Sequence, residues 1–213
     1  MLFPSLLPLA VVGWMSATPA APSKAVVDAT VAASHQAAQV MTEQTVDVTL
    51  FDVNHQERRT VRIGRDGAVD AETRSTLERM FRCKRTQRRH AVSDGLLVML
   101  ADVAAHYPGT TIEYISAFRA VDGHTSRHWQ GRALDFRIPG VDTLEVRDYL
   151  WTHHSRLGVG WYPEGDFIHM DHRPADPDYA WTHVGGHDRG NPGWAAALRK
   201  PKHADRRVNR VGT

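Results

Sequence analysis

The alternation of apolar and polar positions predicts a β-hairpin near the start of the folded part of the chain. Apolar and polar residues alternate through Val46-Asp-Val-Thr-Leu50, and a second run, Arg59-Thr-Val-Arg-Ile63, follows the polar segment 54–57. A period of two places successive side chains on opposite faces of a sheet. Two such runs joined by a polar turn are typical of a hairpin.

Two segments between this hairpin and residue 110 have the spacing of amphipathic helices. The first is predicted to begin after Asp70 and to end near Arg82. The second is predicted to begin after Ser93 and to end at Pro108-Gly109. The apolar positions that define the two buried faces are Leu77, Met80 and Phe81 in the first helix, and Leu96, Leu97, Leu100 and Val103 in the second.

Three further strands are predicted at residues 111–116, 132–138 and 167–171. A helix that begins at the capping box of Asp142 and Glu145 and runs to about residue 154 separates the last two. Strands and helices in this arrangement favour an α+β fold, in which an antiparallel sheet carries helices packed on it.

The two ends of the chain differ in composition from its middle. Residues 1–22 resemble a secretory signal peptide, with an apolar stretch followed by small residues, although the first basic residue is Lys24. We therefore expect residues 23–45 to be a linker, 46–185 the folded domain and 186–213 a basic flexible tail. Export to the periplasm or cell envelope would follow. Because the apolar stretch is short and interrupted by proline, no stable membrane span is expected after signal removal.

Composition excludes several classes of protein and site. With 213 residues, 42% hydrophobic and 23% charged, the chain fits one globular domain with tails. The single cysteine, Cys83, excludes an intrachain disulfide and a cysteine-type zinc site. Basic residues cluster at 82–89 and 199–210, but no aromatic residues alternate with them, so we expect no nucleic-acid partner. These clusters are interpreted as a solvated loop and a tail. The oligomeric state is not encoded in any such pattern.

Candidate metal ligands lie on two of the predicted strands. In 132–138, Asp135 points away from the apolar side chains Leu134 and Phe136. His128 lies seven residues earlier, and Gly131 allows the backbone to turn between the two. This arrangement can bring an imidazole and a carboxylate to one point.

The strand at residues 167–171 supplies the second imidazole, because His169 and Asp171 share one of its faces. A catalytic zinc keeps three protein ligands and one position for water. A neighbouring carboxylate is expected to accept the proton of that water. In a chain with 13 histidines this spacing alone is a moderate signal, and imidazole with carboxylate also suits other divalent metals.

The motifs in these stretches resemble the zinc murein endopeptidase K family, of the hedgehog/D-alanyl-D-alanine peptidase superfamily. The resemblance consists of Ser-x-His-x-x-Gly-Arg-Ala-x-Asp-Phe at residues 126–136, Gly-Val-Gly-x-Tyr-Pro at 158–163 and Phe-Ile-His-x-Asp at 167–171. Upstream, residues 50–57 resemble the opening hairpin of the family, and 115–119 resemble its Ser-Gly-Tyr-Arg segment. The resemblance covers about residues 46–182.

This resemblance implies a zinc metallopeptidase that hydrolyses peptide cross-links in bacterial peptidoglycan, with a hedgehog/DD-peptidase-like fold. It implies that Zn²⁺ is held by His128, Asp135 and His169. It also implies that Arg119 meets a peptide carboxylate or a developing oxyanion, and that Ser126 lies beside the substrate. The structural alternatives are an ion pair for the arginine and a turn hydrogen bond for the serine.

The catalytic base and the bond that is cut remain open at this point. Asp166 lies three residues before the last histidine, where related superfamily members have an acid, while Asp171 matches an aspartate that is usual in the closer family. We favour Asp166 as the base and consider Asp171 as a group that orients a ligand histidine. The same residues would serve a D,D- or L,D-carboxypeptidase acting on stem peptides, or a non-catalytic zinc-containing cell-wall binding module.

The sequence departs from the family pattern at two places. The segment 120–125, between the arginine and the Ser-x-His motif, is shorter than is usual in the family, so one wall of the cleft is expected to be shorter. Ala117 stands where the family has glycine.

Overall fold

The computed structural model describes residues 44–198. The predicted signal peptide and all but the last two residues of the predicted linker lie outside this range, as do residues 199–213. No helix within residues 44–198 has the length and apolar composition needed to cross a membrane.

One mixed sheet of eight strands forms the centre of the described region, in the order β2-β1-β3-β4-β6-β5-β7-β8. The strands are β1 (Thr45–Asp52), β2 (Glu57–Gly64), β3 (Thr111–Ser116), β4 (Ala133–Arg137), β5 (Leu157–Tyr162), β6 (Phe167–His172), β7 (Tyr179–Val184) and β8 (His187–Gly190).

The α+β class is confirmed, but the expectation of a wholly antiparallel sheet is wrong. The pairs β1–β3 and β5–β7 are parallel, and the other neighbouring pairs are antiparallel. In each parallel pair the chain makes a hairpin first and then returns to the other edge of the earlier strand, so the returning strand runs in its direction. Strands β5, β7 and β8 were not predicted.

Four helices occur within residues 44–198, namely α1 (Ala71–Met80), α2 (Asp94–His106), α3 (Thr143–His153) and α4 (Gly193–Ala197). The predicted starts of the first three are confirmed, because each is capped by the expected side chain. Asp70 accepts a hydrogen bond from the Thr73 amide at 2.7 Å, and Asp142 accepts one from the Leu144 amide at 2.8 Å. Ser93 caps α2 through the Leu96 amide. These bonds satisfy amides that the helix itself leaves without partners.

The hydrophobic core lies on one face of the sheet, against α2 and α3. Leu134 and Phe136 of β4 and Ile168 and Met170 of β6 are fully buried there, together with helix residues such as Leu100. Since strand side chains alternate, the residues between them point to the opposite face. That opposite face carries the candidate site.

Regular structure extends beyond residue 185, where the sequence predicted a flexible tail to begin. Residues 187–198 form β8 and α4. The Trp194 ring lies 5.9 Å from the Trp151 ring, and the Arg147 guanidinium lies 4.4 Å from its centroid. The Trp151 indole donates to the Ala195 carbonyl at 3.0 Å. The packing of Trp194 on Trp151 and Arg147 thus holds this segment against the domain, although its basic, glycine-rich composition predicted a flexible tail.

Candidate metal centre

The three predicted ligands converge on one buried point. One ligand atom from each of His128, Asp135 and His169 lies within 4.8 Å of the others. His169 Nδ1 lies 2.8 Å from Asp135 Oδ1 and 3.1 Å from His128 Nε2. All three side chains are buried. Two imidazoles and one carboxylate form a donor set that suits a divalent metal such as zinc.

Sheet register brings Asp135 and His169 together. Strands β4 and β6 are antiparallel, with Asp135 opposite His169 and Ala133 opposite Asp171. Because directly opposed side chains on one face lie about 5 Å apart, this register alone places the carboxylate beside the imidazole. The small side chain of Ala133 leaves room beside them.

His128 reaches the same point from the loop that precedes β4. Gly131 has a φ of +65°, and a Cβ at this position would lie 2.1 Å from the Ala91 carbonyl oxygen. The predicted sharp turn at this glycine is therefore confirmed. His128 Nδ1 lies 2.6 Å from the Ala117 carbonyl oxygen, to which it must donate. That bond leaves the lone pair of Nε2 directed at the centre.

His169 is oriented in an equivalent way by Asp171. His169 Nε2 lies 3.0 Å from Asp171 Oδ2, on the side of the ring away from Asp135. The Asp171 carboxylate is fully buried and accepts two further bonds from Arg173, at 2.7 and 3.1 Å. Burial alone would raise the pKa of Asp171, but hydrogen bonds from His169 and Arg173 lower it, so it stays ionised. Asp171 therefore acts on the centre through His169.

Two positive groups, a proton on His169 and the Arg119 guanidinium, lie beside the Asp135 carboxylate, where a bound metal cation would take their place. Burial lowers the pKa of His128 and would lower that of His169, but the Asp135 and Asp171 carboxylates raise the pKa of His169 to about 9. Arg119 Nη2 donates to Asp135 and lies 2.8 Å from His128 Nε2. A proton on His169 Nδ1 and the Arg119 guanidinium thus neutralise Asp135. The donor set fits a metal that displaces both, since metal binding releases protons from its ligands.

Arg119 contacts Asp135 and His128, which is the ion pair of the structural alternative, whereas Ser126 contacts none of the three ligand residues. The Ser126 hydroxyl donates to Asp122 Oδ2 at 2.9 Å, which is the turn hydrogen bond of the structural alternative. Arg119 Nε donates to the Ser116 hydroxyl at 2.9 Å, and its Nη1 lies 3.8 Å from Asp122 Oδ2. Asp122 was not singled out in the sequence. Its only signal was the spacing of four residues to Ser126.

The two candidate catalytic aspartates occupy different surroundings. Asp166 lies in the turn between β5 and β6 with a φ of +49°, and it is exposed. Its carboxylate makes no hydrogen bond or ion pair within residues 44–198. It lies three positions before His169, a separation of about 10 Å along an extended chain. Neither Asp166 nor Asp171 contacts the ligand atoms that face the centre.

Trp181 is a neighbour of the centre that the sequence did not reveal. It lies on β7 opposite Gly160, and its ring centroid is 4.9 Å from that of His169. A Cβ on Gly160 would lie 2.3 Å from the indole, and a Cβ on Gly158 would lie 2.0 Å from Asp171 Oδ2. Glycine inside a strand often marks such a close approach. The Gly-x-Gly pattern at residues 158–160 was therefore the sequence feature that could have indicated a bulky side chain close to this strand.

A cavity of about 440 Å³ opens beside the centre. Asp135 lines it, together with residues from the segments 52–55, 82–85 and 114–122, the last of which includes Arg119. Its volume is in the range of small-molecule and peptide sites. The candidate metal centre therefore lies at the edge of a space large enough for part of a substrate.

Comparison with known proteins identifies the group to which the chain is related. The probable peptidoglycan L,D-endopeptidase MepK of Haemophilus influenzae is 29% identical over 112 residues, which are 46% of this chain and 60% of that relative. The peptidoglycan L,D-endopeptidase MepK of Escherichia coli K12 is 28% identical over 113 residues, 46% of this chain and 61% of the relative. The matched region thus spans about 60% of the length of these curated relatives. No solved structure shows significant similarity to the chain.

The family match extends beyond the region shared with those two relatives. The sequence model described as "Peptidoglycan L,D-endopeptidase MepK" matches residues 40–176, which is more than half of the chain. This range includes β1 to β6, and with them His128, Asp135 and His169. The chain therefore belongs to the peptidoglycan L,D-endopeptidase MepK family of peptidases.

Proposed function

We propose that the protein is a zinc-dependent endopeptidase that hydrolyses peptide cross-links in bacterial peptidoglycan. The observation that carries the proposal is the convergence of His128, Asp135 and His169, of which Asp135 also lines the 440 Å³ cavity. Membership of the family and the names of the two relatives support the substrate class.

The residues around the centre are suited to peptide hydrolysis. A divalent metal bound there would supply a Lewis acid and lower the pKa of a bound water. Ala117 and Asp171 hold the two imidazoles so that one nitrogen of each faces the centre. The Arg119 guanidinium, once displaced from His128, is close enough to bind a substrate carboxylate or the oxygen of the attacked carbonyl.

We infer that Asp166 accepts the proton of the attacking water, while Asp171 positions His169. Two observations support this division. The Asp171 carboxylate is committed to His169 and Arg173, whereas that of Asp166 has no partner within residues 44–198. Base contacts are often long before substrate binds. The role requires the β5–β6 turn to bring Asp166 inward over the bound peptide.

The proposed substrate lies outside the cytoplasmic membrane, so the proposal includes export. Residues 1–22 would direct the chain to the periplasm or envelope and be removed there. Cell fractionation with an antibody against the folded domain tests this step. The processed chain is expected in the envelope fraction, and a full-length chain confined to the cytoplasm would contradict export.

Mass spectrometry of muropeptides tests the activity itself. Purified cross-linked muropeptides are incubated with the zinc-loaded protein and, as a control, with His169→Ala protein. The proposal predicts conversion of dimers to monomers by the first protein only. Loss of single terminal residues with dimers left intact would instead indicate a carboxypeptidase. Bound zinc without any hydrolysis would indicate a binding module.

A further inference from the structure

The cavity beside the metal centre has a strongly basic wall. Four cationic side chains line it, namely Arg82, Lys84, Arg85 and Arg119. We name this cavity the basic groove. The sequence alone suggested that the cluster at residues 82–89 is a solvated loop, but part of that cluster lines a space that leads to Asp135.

Charge pairing leaves the groove with a positive surplus. Arg82 Nη1 donates to the Arg79 carbonyl at 2.7 Å and lies 3.8 Å from the Glu57 carboxylate. The groove's three acidic side chains also have partners. Asp52 lies 2.8 Å from His55, Asp122 accepts a hydrogen bond from Ser126 and lies 3.8 Å from Arg119, and Asp135 lies within the candidate metal centre.

Two cations of the groove have no such partner. Lys84 and Arg85 are exposed, and their side chains form no ion pair within residues 44–198. Their charges are therefore available to an anionic ligand.

The loop that carries these two cations is held in place by its own hydrogen bonds. The Cys83 amide donates to the Arg88 carbonyl at 2.9 Å, and the Gln87 amide donates to the Cys83 carbonyl at 2.7 Å. The Gln87 side chain donates to the Lys84 carbonyl at 3.0 Å. Cys83 itself is buried. These hydrogen bonds hold the backbone from which Lys84 and Arg85 extend.

A further backbone contact connects this loop region to the segment that carries Arg119. The Phe118 amide, next to Arg119 in the chain, donates to the Phe81 carbonyl at 3.1 Å. The turn after α1 and the segment that carries Arg119 therefore form one wall. Arg88 and Arg89 are exposed on the same loop but do not line the groove.

We propose that Lys84 and Arg85 form a carboxylate-binding subsite, which holds acidic groups of the peptide substrate while its scissile bond lies at the metal centre. The proposal rests on the proposed function and specifies which chemistry of the peptide is recognised. Free carboxylates on side chains or at a chain end are the anions that such a peptide offers. Lysine and arginine bind them through charge-assisted hydrogen bonds.

The test compares two double variants that remove the same charge from the same loop. Lys84→Ala/Arg85→Ala empties the subsite, and Arg88→Ala/Arg89→Ala is the matched control. The dissociation constant of a muropeptide is measured on protein kept free of metal, so that the peptide is not consumed. The KM for hydrolysis is then measured on the zinc-loaded protein. Each measurement uses one peptide with free carboxylates and one in which they are amidated.

The subsite predicts that the first double variant binds the free-carboxylate peptide about three- to tenfold more weakly, while the control changes less than twofold. KM should rise in parallel with kcat unchanged. Amidation should weaken binding to the wild type by a similar factor and have little further effect on the variant. Added salt should weaken binding to the wild type more than to the variant.

Equal behaviour of the two double variants, or wild-type binding that amidation does not change, would overturn the subsite. So would the absence of any binding by the wild-type protein. Charge-dependent binding without hydrolysis would leave the subsite in place and refute the proposed peptidase activity instead. The two proposals can therefore fail separately.

Discussion

Asp135 and His169 enter the candidate metal centre from paired strands, whereas His128 and Arg119 enter it from the irregular segment 117–131. On the strand side, β4 is hydrogen-bonded to β3 and β6, and β6 is hydrogen-bonded to β4 and β5. On the loop side, the position of His128 depends on the turn at Gly131 and on one bond to the Ala117 carbonyl.

Because of this difference, we expect the two histidines to contribute equally to metal binding but unequally to the stability of the fold. A strand-side ligand is part of a buried charge network, because His169 lies between two buried carboxylates, Asp135 and Asp171. The loop-side histidine His128 donates from Nδ1 to a carbonyl oxygen, and its Nε2 approaches only one carboxylate within residues 44–198, Asp135, at 3.3 Å. Loss of either histidine should remove the metal, but only loss of His169 should remove a hydrogen-bonding partner that two buried carboxylates share.

The largest expected effect comes from replacing the two histidines. His128→Ala and His169→Ala should each abolish stoichiometric metal binding and activity. His169→Ala should also destabilise the metal-free protein by about 2–4 kcal/mol, because it breaks a buried charge network. Metal analysis and urea unfolding measure the two effects. His187→Ala, on exposed β8, is the control. Metal retention by both variants would exclude this site, and equal stability of both would refute the contrast between strand and loop.

The next largest effect is expected for Asp166 in the β5–β6 turn, whose replacement should lower turnover without removing the metal. Asp166→Asn keeps the size of the side chain but removes its basic carboxylate, so kcat should fall by roughly two to four powers of ten. Metal content should not change, since Asp166 contacts none of the ligands. Steady-state kinetics on a cross-linked muropeptide, with zinc analysis of the same sample, provides the measurement. A variant with normal turnover would exclude Asp166 as the base.

A smaller effect, on metal affinity, is expected for Asp171, the carboxylate that contacts His169. Asp171→Asn removes the charge that orients His169, so metal affinity should fall by roughly ten- to a hundredfold. Competition with a chelator measures this affinity, and Asp166→Asn is the comparison. If Asp171→Asn abolished turnover while its metal affinity stayed normal, the roles of the two aspartates would be reversed.

The smallest effect concerns the packing behind His169. In Gly160→Ala the new methyl group would overlap the Trp181 ring, which packs against His169, so the ring must shift. We expect a loss of about 1–3 kcal/mol in the free energy of unfolding. Gly123→Ala is the control, because a Cβ there has no atom within 4 Å. Unfolding curves that coincide for the two variants would show that Trp181 does not support the centre.

Much of the strand side could be predicted from sequence, because it follows from local periodicity. Alternation on β4 and β6 places Leu134 and Met170 in the core and therefore Asp135 and His169 on the other face. Helix starts were predictable for a similar reason, since Asp70, Ser93 and Asp142 cap helices through side chains a few residues from the bonded amides.

The features that could not be predicted depend on contacts between segments that are distant in sequence. Such contacts leave no periodic pattern in the local sequence. Strand β5 was missed because Gly158 and Gly160 weaken its strand signal, yet both are required by Asp171 and Trp181 from neighbouring strands. The pairing of Ser126 with Asp122, and the approach of residues 82–85 to Arg119, likewise depend on loop geometry. For the same reason the parallel pairing of β1 with β3 was not predicted.

An anomalous difference map from crystals grown with zinc tests the central claim most directly. We expect one strong peak per chain, bound by His128 Nε2, His169 Nδ1 and an Asp135 oxygen, with Arg119 Nη2 moved from its place 2.8 Å from His128 Nε2. His169 Nε2 should still be bonded to Asp171. A peak at another position, or zinc bound through His169 Nε2 with Asp171 released, would contradict the account.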